Sequence, residues 1–178
     1  MDRRTLLQSA STLVIGGCLA GCTRFPPRST AAAECAPGYQ ATDIDVPTDL
    51  PAATDAGVTL TLTPQTVAPT EAVTATLRNG TQTAIDVSAT PRFTIQGLNS
   101  NDEWTHALGV ATDHTWTETT NSLAPGAVDQ WSFKPQRGGF PEPYERCQAF
   151  VPGTYRVVYY GWAASRPLLA AEFTVTES

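Results

Sequence analysis

The side chains able to do chemistry in this 178-residue sequence are few: two histidines, four cysteines and a scatter of carboxylates. His106 and His114, with Asp102, Glu103 and Asp113 beside them in the sequence, bring together imidazole and carboxylate, the donor set of zinc and similar ions. No recognised ligand spacing accompanies them. The same Asp113 and His114, with the serines of the chain, contain the residue types of a hydrolytic triad, but no G-x-S-x-G elbow is present. These residues are therefore expected to be solvated loop polars, with His106, His114 and Asp113 kept as the metal-binding alternative. A blue-copper centre needs two histidines, a thiolate and usually an axial thioether. Met1 is the only methionine and no histidine follows Cys147, so that chemistry is set aside. No catalytic residue and no cofactor are expected.

The first cysteines carry a different chemistry. Arg3 and Arg4 precede an apolar run through Leu13, Val14 and Ile15, which ends in Leu19-Ala20-Gly21-Cys22. A charged start, a short apolar middle and small residues before a cleavage point make an export signal. The run is too short and too broken by Gly and Ser for a bilayer span, which needs about 20 apolar residues. Paired arginines ahead of such a run are the address of twin-arginine export. The last four residues resemble a lipobox, in which the cysteine is lipidated and then becomes the first residue of the mature chain; Cys18, after Gly16-Gly17, is a second candidate. Two acyl chains hold a protein stably on a membrane where one does so only marginally. The expected organisation is a signal peptide over residues 1–21, a lipid-anchored tether over 22–56 and a folded domain over 57–178. The expected location is the extracytoplasmic face of the cell membrane.

Charge and composition agree with an exported module. The net charge is −6 and Lys134 is the only lysine. Nucleic-acid binding needs clustered Lys and Arg against phosphate, so that class of partner is excluded. Low lysine with abundant Thr, Ala and acid, behind a twin-arginine signal, resembles proteins of salt-loving archaea, and a GC-rich bacterium gives a similar bias. The tether carries Pro26-Pro27, Pro37, Pro47 and Pro51, a composition that buries little apolar surface and stays extended.

From Gly57 onward the hydrophobic pattern has period two. Val58, Leu60 and Leu62 alternate with Thr59, Thr61 and Thr63, and Val73, Ala75 and Leu77 alternate with Thr74 and Thr76. This is the signature of half-buried strands. Asn79-Gly80 follows, a hairpin-turn dipeptide. Ile85 with Val87, Phe93 with Ile95, Trp131 with Phe133, and Ala171 with Phe173 and Val175 continue the series. Residues 154–163 are apolar on both faces, as expected of a central strand covered on both sides. Residues 135–150 are expected to form one long loop. No helical period appears beyond the signal. The prediction is an all-β protein, an immunoglobulin-like β-sandwich of about 7–9 strands behind a signal peptide and a Pro/Thr/Ala-rich tether.

The run from Val58 to Leu77, the polar turn at Asn79-Gly80, the Leu123-Ala124-Pro125-Gly126 turn before a strand holding Trp131, and Pro152-Gly153-Thr154-Tyr155-Arg156-Val157 together resemble the bacterial and archaeal Ig-like domains of exported lipoproteins. The resemblance covers roughly residues 57–176. It implies a sandwich fold and a non-catalytic adhesive or scaffolding role, with an envelope protein or glycan as partner, and brings no catalytic or ligand residues with it.

Three local features complete the expectations. Asn79-Gly80-Thr81 fits the N-glycosylation acceptor pattern, on what is expected to be an accessible hairpin tip. Phe140-Pro141-Glu142-Pro143-Tyr144-Glu145-Arg146 is either a recognition loop or, as preferred, a loop whose rings fold back over the core. Cys35 and Cys147 remain after lipidation of Cys22. Outside the cell an even pair without metal-type spacing favours a disulfide over two free thiols.

Overall fold

The computed structural model describes residues 35–42, 44–47, 50, 54–162 and 167–177. Arg3, Arg4, Cys22 and the first part of the expected tether lie outside the described residues. Among those described, every regular element is a strand: β1 (Tyr39–Ala41), β2 (Thr54–Asp55), β3 (Val58–Thr63), β4 (Thr66–Val67), β5 (Val73–Asn79), β6 (Ile85–Ser88), β7 (Phe93–Leu98), β8 (Trp104–His106), β9 (Leu108–Ala111), β10 (Thr120–Leu123), β11 (Val128–Phe133), β12 (Tyr144–Arg146), β13 (Gly153–Tyr159) and β14 (Leu169–Val175).

Two sheets carry the core. One has the order β11-β5-β3-β2, the other β4-β14-β13-β7-β8. Their neighbours are antiparallel, apart from the short parallel pair β4–β14. The alternation read from the sequence becomes a face: in β3, Val58, Leu60 and Leu62 are buried while Thr61 and Thr63 are exposed. Register sets Leu60 opposite Leu77 and Leu62 opposite Ala75. On the far side of β5, Trp131 stands opposite that same Ala75, so a large ring is accommodated beside the smallest apolar side chain. The inward side chains of the other sheet meet this layer ring to ring. Phe93 lies 5.5 Å from Trp131, Tyr159 lies 5.6 Å from Trp131, and Phe173 meets Phe133 edge-on at 5.7 Å. The two sheets thus pack face to face around one hydrophobic core, where each fully buried large side chain contributes about 1.5–3 kcal/mol.

β13 is the central strand that its two-sided apolarity predicted, with β7 on one side and β14 on the other. It stops at Tyr159, short of the expected end, where Tyr160 N donates to Arg92 O. Tyr155, Val157 and Tyr159 face the core, while Arg156 and Val158, on the opposite face, are buried as well. The outer face is covered by Thr42, a residue expected in the tether, and by the edge strand β8. The Thr42 hydroxyl bonds that of Thr94, which pairs with Val158. Trp104, from the edge strand β8, lies under the Arg156 guanidinium at 4.2 Å. Arg156 Nε donates to Gln96 Oε1 at 2.8 Å. Burial lowers the Arg156 pKa from its ordinary value, and Glu172 partly opposes that shift.

Two expectations are corrected here. The folded part begins before Gly57: β1 pairs with β9 and β2 with β3, so residues expected in the tether contribute strands. Asn79-Gly80 is not a hairpin tip either. β5 pairs with β3 and β11, whereas the next strand, β6, pairs with β10. The chain crosses from one sheet to another, and Asn79 is the staple of that crossing. Its side chain is fully buried. Nδ2 donates to Thr83 O and Leu123 O, both at 2.8 Å, while Oδ1 accepts from Thr81 N and Thr81 Oγ1. Every polar atom of the amide is satisfied, as burial requires. Both amide hydrogens are committed, so the acceptor pattern at Asn79 is not displayed for a glycan in this fold.

Candidate functional site

The described residues whose chemistry comes together lie where Cys35, Cys147 and the stretch 135–150 meet. That stretch contains a strand, β12, in place of one continuous loop, because residues 144–146 find a partner in β9. Its aromatic rings turn inward. Phe140 stacks on Phe133 at 5.7 Å and touches Phe150, which in turn packs on Tyr155 at 4.8 Å. Tyr144 packs against Phe93 at 4.5 Å, its hydroxyl donating to Pro91 O and accepting from Phe93 N. Burial, reinforced by the neighbouring Tyr160, pushes the Tyr144 phenol well above its ordinary value. The preferred expectation for these rings, cover for the core, is what the structure shows. Arg137, Gly138, Glu142 and Ala149 are the residues of the stretch left exposed.

Cys35 and Cys147 form a disulfide across 112 residues of sequence. The three-stranded sheet β1-β9-β12 brings them together, since β9 lies between the strand that follows Cys35 and the strand that precedes Cys147. Cys147 N donates to Ala107 O at 2.9 Å, continuing the alignment past the end of β12. The bridge crosses directly over Gly109. A Cβ there would come 2.6 Å from Cys147 Sγ, 2.6 Å from Gln40 O and 3.0 Å from Cys35 Sγ, so only glycine fits. Sequence reasoning found the two cysteines and missed this glycine. A glycine inside a strand pattern is the available signal for close approach.

Beside the bridge is an open cleft of about 390 Å³. Ala36 and Pro37 line it together with Arg137, Glu145, Arg146, Cys147, Gln148 and Ala149. Glu145 is committed to the backbone: Oε1 accepts from Arg146 N at 2.8 Å and Oε2 from Gly138 N at 3.1 Å. That pins the 134–139 turn, closed by Lys134 N to Gly139 O at 2.7 Å, against β12. The guanidinium groups of Arg137 and Arg146 have no acceptor among the described residues. By contrast, Arg92 is held by Thr117 O, Glu118 and the Trp116 ring, and Arg156 by Gln96 and Trp104.

The structure does not gather the histidines into a site. His106 stands on β8 opposite Gln96. His114 follows β9 in a turn, its N–H donating to Ala111 O and its ring packed edge-on against Trp116 at 4.5 Å. Asp113 is exposed in the same turn. Among the described residues no three His, Cys, Asp or Glu side chains are placed to hold a metal ion, and no helix is long and apolar enough to cross a membrane.

No protein-family model and no curated protein matches the chain. Solved structures that resemble it include the alkylpurine DNA glycosylase AlkC of Pseudomonas fluorescens bound to DNA containing an abasic site analog. That match has 16% identity and a TM-score of 0.35, and covers 67% of this chain and 30% of the glycosylase. The β-glucosidase of Listeria innocua in complex with gluconolactone is similar at 15% identity and a TM-score of 0.33, over 66% of this chain and 16% of that one. The chain thus spans less than a third of either enzyme. At this level of superposition neither activity carries over to it.

Proposed function

We propose that this protein is an exported, lipid-anchored and non-catalytic module that binds or supports another component of the cell envelope, protein or glycan. In this reading its two larger sheets form an immunoglobulin-like β-sandwich, Arg3 and Arg4 address the chain to twin-arginine export, and Cys22 carries the lipid. The observation that supports it most is the Cys35–Cys147 disulfide. Disulfides form and persist in oxidising compartments, so a bridge that ties the first described residues to the domain agrees with the export signal ahead of it. Residues 23–34 separate Cys22 from Cys35, a stalk with a reach of at most about 45 Å. Such a stalk presents a rigid domain close to the membrane that anchors it.

Cell fractionation tests the proposal. Wild-type protein is expected in the membrane fraction and Cys22→Ala in the soluble or secreted fraction, or accumulated as unprocessed precursor. Retention of processed Cys22→Ala on the membrane, with release of Cys18→Ala, would move the anchor to the other cysteine. Retention of both variants in mature form would remove the lipid anchor from the account.

A further inference from the structure

The cleft beside the disulfide has a charge out of keeping with the rest of the molecule. The chain carries a net charge of −6, yet Arg137 and Arg146 line one concavity here with a single carboxylate, Glu145, whose oxygens accept from backbone N–H groups. Guanidinium groups at a surface are otherwise hydrated, and two of them lining one concavity leave their N–H donors open to a ligand's oxygens. Their setting is also rigid. The backbone of Arg146 is held in β12, that of Arg137 by the turn that Glu145 fastens, and Ala36-Pro37 follow the bridged Cys35.

From this geometry we infer that the cleft is a binding site for a phosphate-type oxyanion, with Arg137 and Arg146 as its two recognition groups. Guanidinium presents N–H donors in a planar fork that matches oxyanions two bonds at a time. One such fork satisfies a carboxylate. Two forks, from the 134–139 turn and from β12, suit the non-bridging oxygens of a phosphate, whether the free ion, a monoester or the diester of a lipid headgroup. The cleft volume of about 390 Å³ admits a phosphate with the group that bears it, in the range of small-molecule sites. The site deepens the proposed envelope role and rests on that reading for its biological source. A domain tethered by residues 22–34 keeps this cleft within reach of lipid headgroups, and a tethered site meets them at high effective concentration. The binding chemistry itself needs no anchor.

The test uses the full chain carrying Cys22→Ala, so that lipidation plays no part. Titration with inorganic phosphate, followed by isothermal calorimetry, is run beside sedimentation with vesicles of phosphatidylglycerol or of phosphatidylcholine. Binding to either phosphate or phosphatidylglycerol vesicles is expected, weakening as salt is raised. Each of Arg137→Gln and Arg146→Gln is expected to weaken it at least tenfold, the scale of one charge-assisted contact. Vesicle binding that free phosphate displaces assigns the headgroup as source, and phosphate binding with indifference to vesicles assigns a soluble ligand. Arg137 is exposed in a turn, so Arg137→Gln keeps the test informative even where Arg146→Gln unfolds. Failure of both probes to bind, or equal binding by wild-type and Arg137→Gln chains of unchanged melting temperature, overturns the site. Neither result touches the lipid anchor, which the fractionation decides.

Discussion

Phe93→Ala is expected to destabilise the protein by about 3–5 kcal/mol, a large share of the roughly 5–15 kcal/mol that holds a domain folded. Phe93 has no exposed surface and sits where three walls of the core converge. Its ring contacts Trp131 and Phe133 from the opposing sheet and Tyr144 from β12. Its backbone N–H donates to the Tyr144 hydroxyl, so side chain and main chain are clamped by the same partner. Removing the ring leaves a cavity among large, mutually packed aromatics that cannot close without shifting a sheet. Urea denaturation of wild type, Phe93→Ala and the exposed-site control Val151→Ala measures the effect. The control is expected to stay within about 0.5 kcal/mol of wild type. A loss below about 1 kcal/mol for Phe93→Ala would show that the aromatic core is not the packed unit described.

Loss of the disulfide is the second large effect. The double substitution Cys35→Ser/Cys147→Ser is expected to cost about 2–5 kcal/mol, the range for removing native bridges. The bridge closes a loop of more than a hundred residues, for which the chain-entropy account gives about 4–5 kcal/mol. Its absence also frees the segment ahead of β1, whose pairing with β9 spans only residues 39–41. The denatured chain becomes more expanded without the cross-link, so the denaturant slope is expected to rise as the midpoint falls. Coincident unfolding curves for the oxidised protein and the double variant would contradict the bridge as a stabilising element. Using the double variant avoids leaving a lone thiol in the buried position of Cys147.

The parts of the fold that were legible in the sequence are those where local pattern and burial coincide. In β3, β5, β11 and β14 the period-two alternation became the inner face because one side of each strand meets the core. The two-sided apolarity of β13 likewise announced its central place. What stayed hidden depends on long-range pairing. Asn79-Gly80 carries the composition of a hairpin turn, yet the amide of Asn79 is drawn inside by the carbonyl of Leu123, 44 residues away. No local rule registers that acceptor. Residues 39–41 and 54–55 have the composition of a tether and become strands because β9 and β3 offer unpaired edges. The cysteine pair was legible from redox chemistry and parity. Gly109, which makes room for the bridge, and the two arginines beside it acquire their meaning only once β12 is placed against β9. His106 and His114 show the converse: suggestive residue types near each other in sequence are sent to an edge strand and to an aromatic contact with Trp116.

In the proposed function this is an exported module held to the membrane through a lipid on Cys22. Mass spectrometry of the protein extracted from membranes of its own cells decides it, because the first residue and its modification are read together. The expected product is a mature chain that begins at Cys22, with the added mass of a thioether-linked lipid bearing two hydrocarbon chains on that residue. A membrane-extracted chain that retains residues 1–21, or that begins elsewhere with Cys22 unmodified, would contradict it.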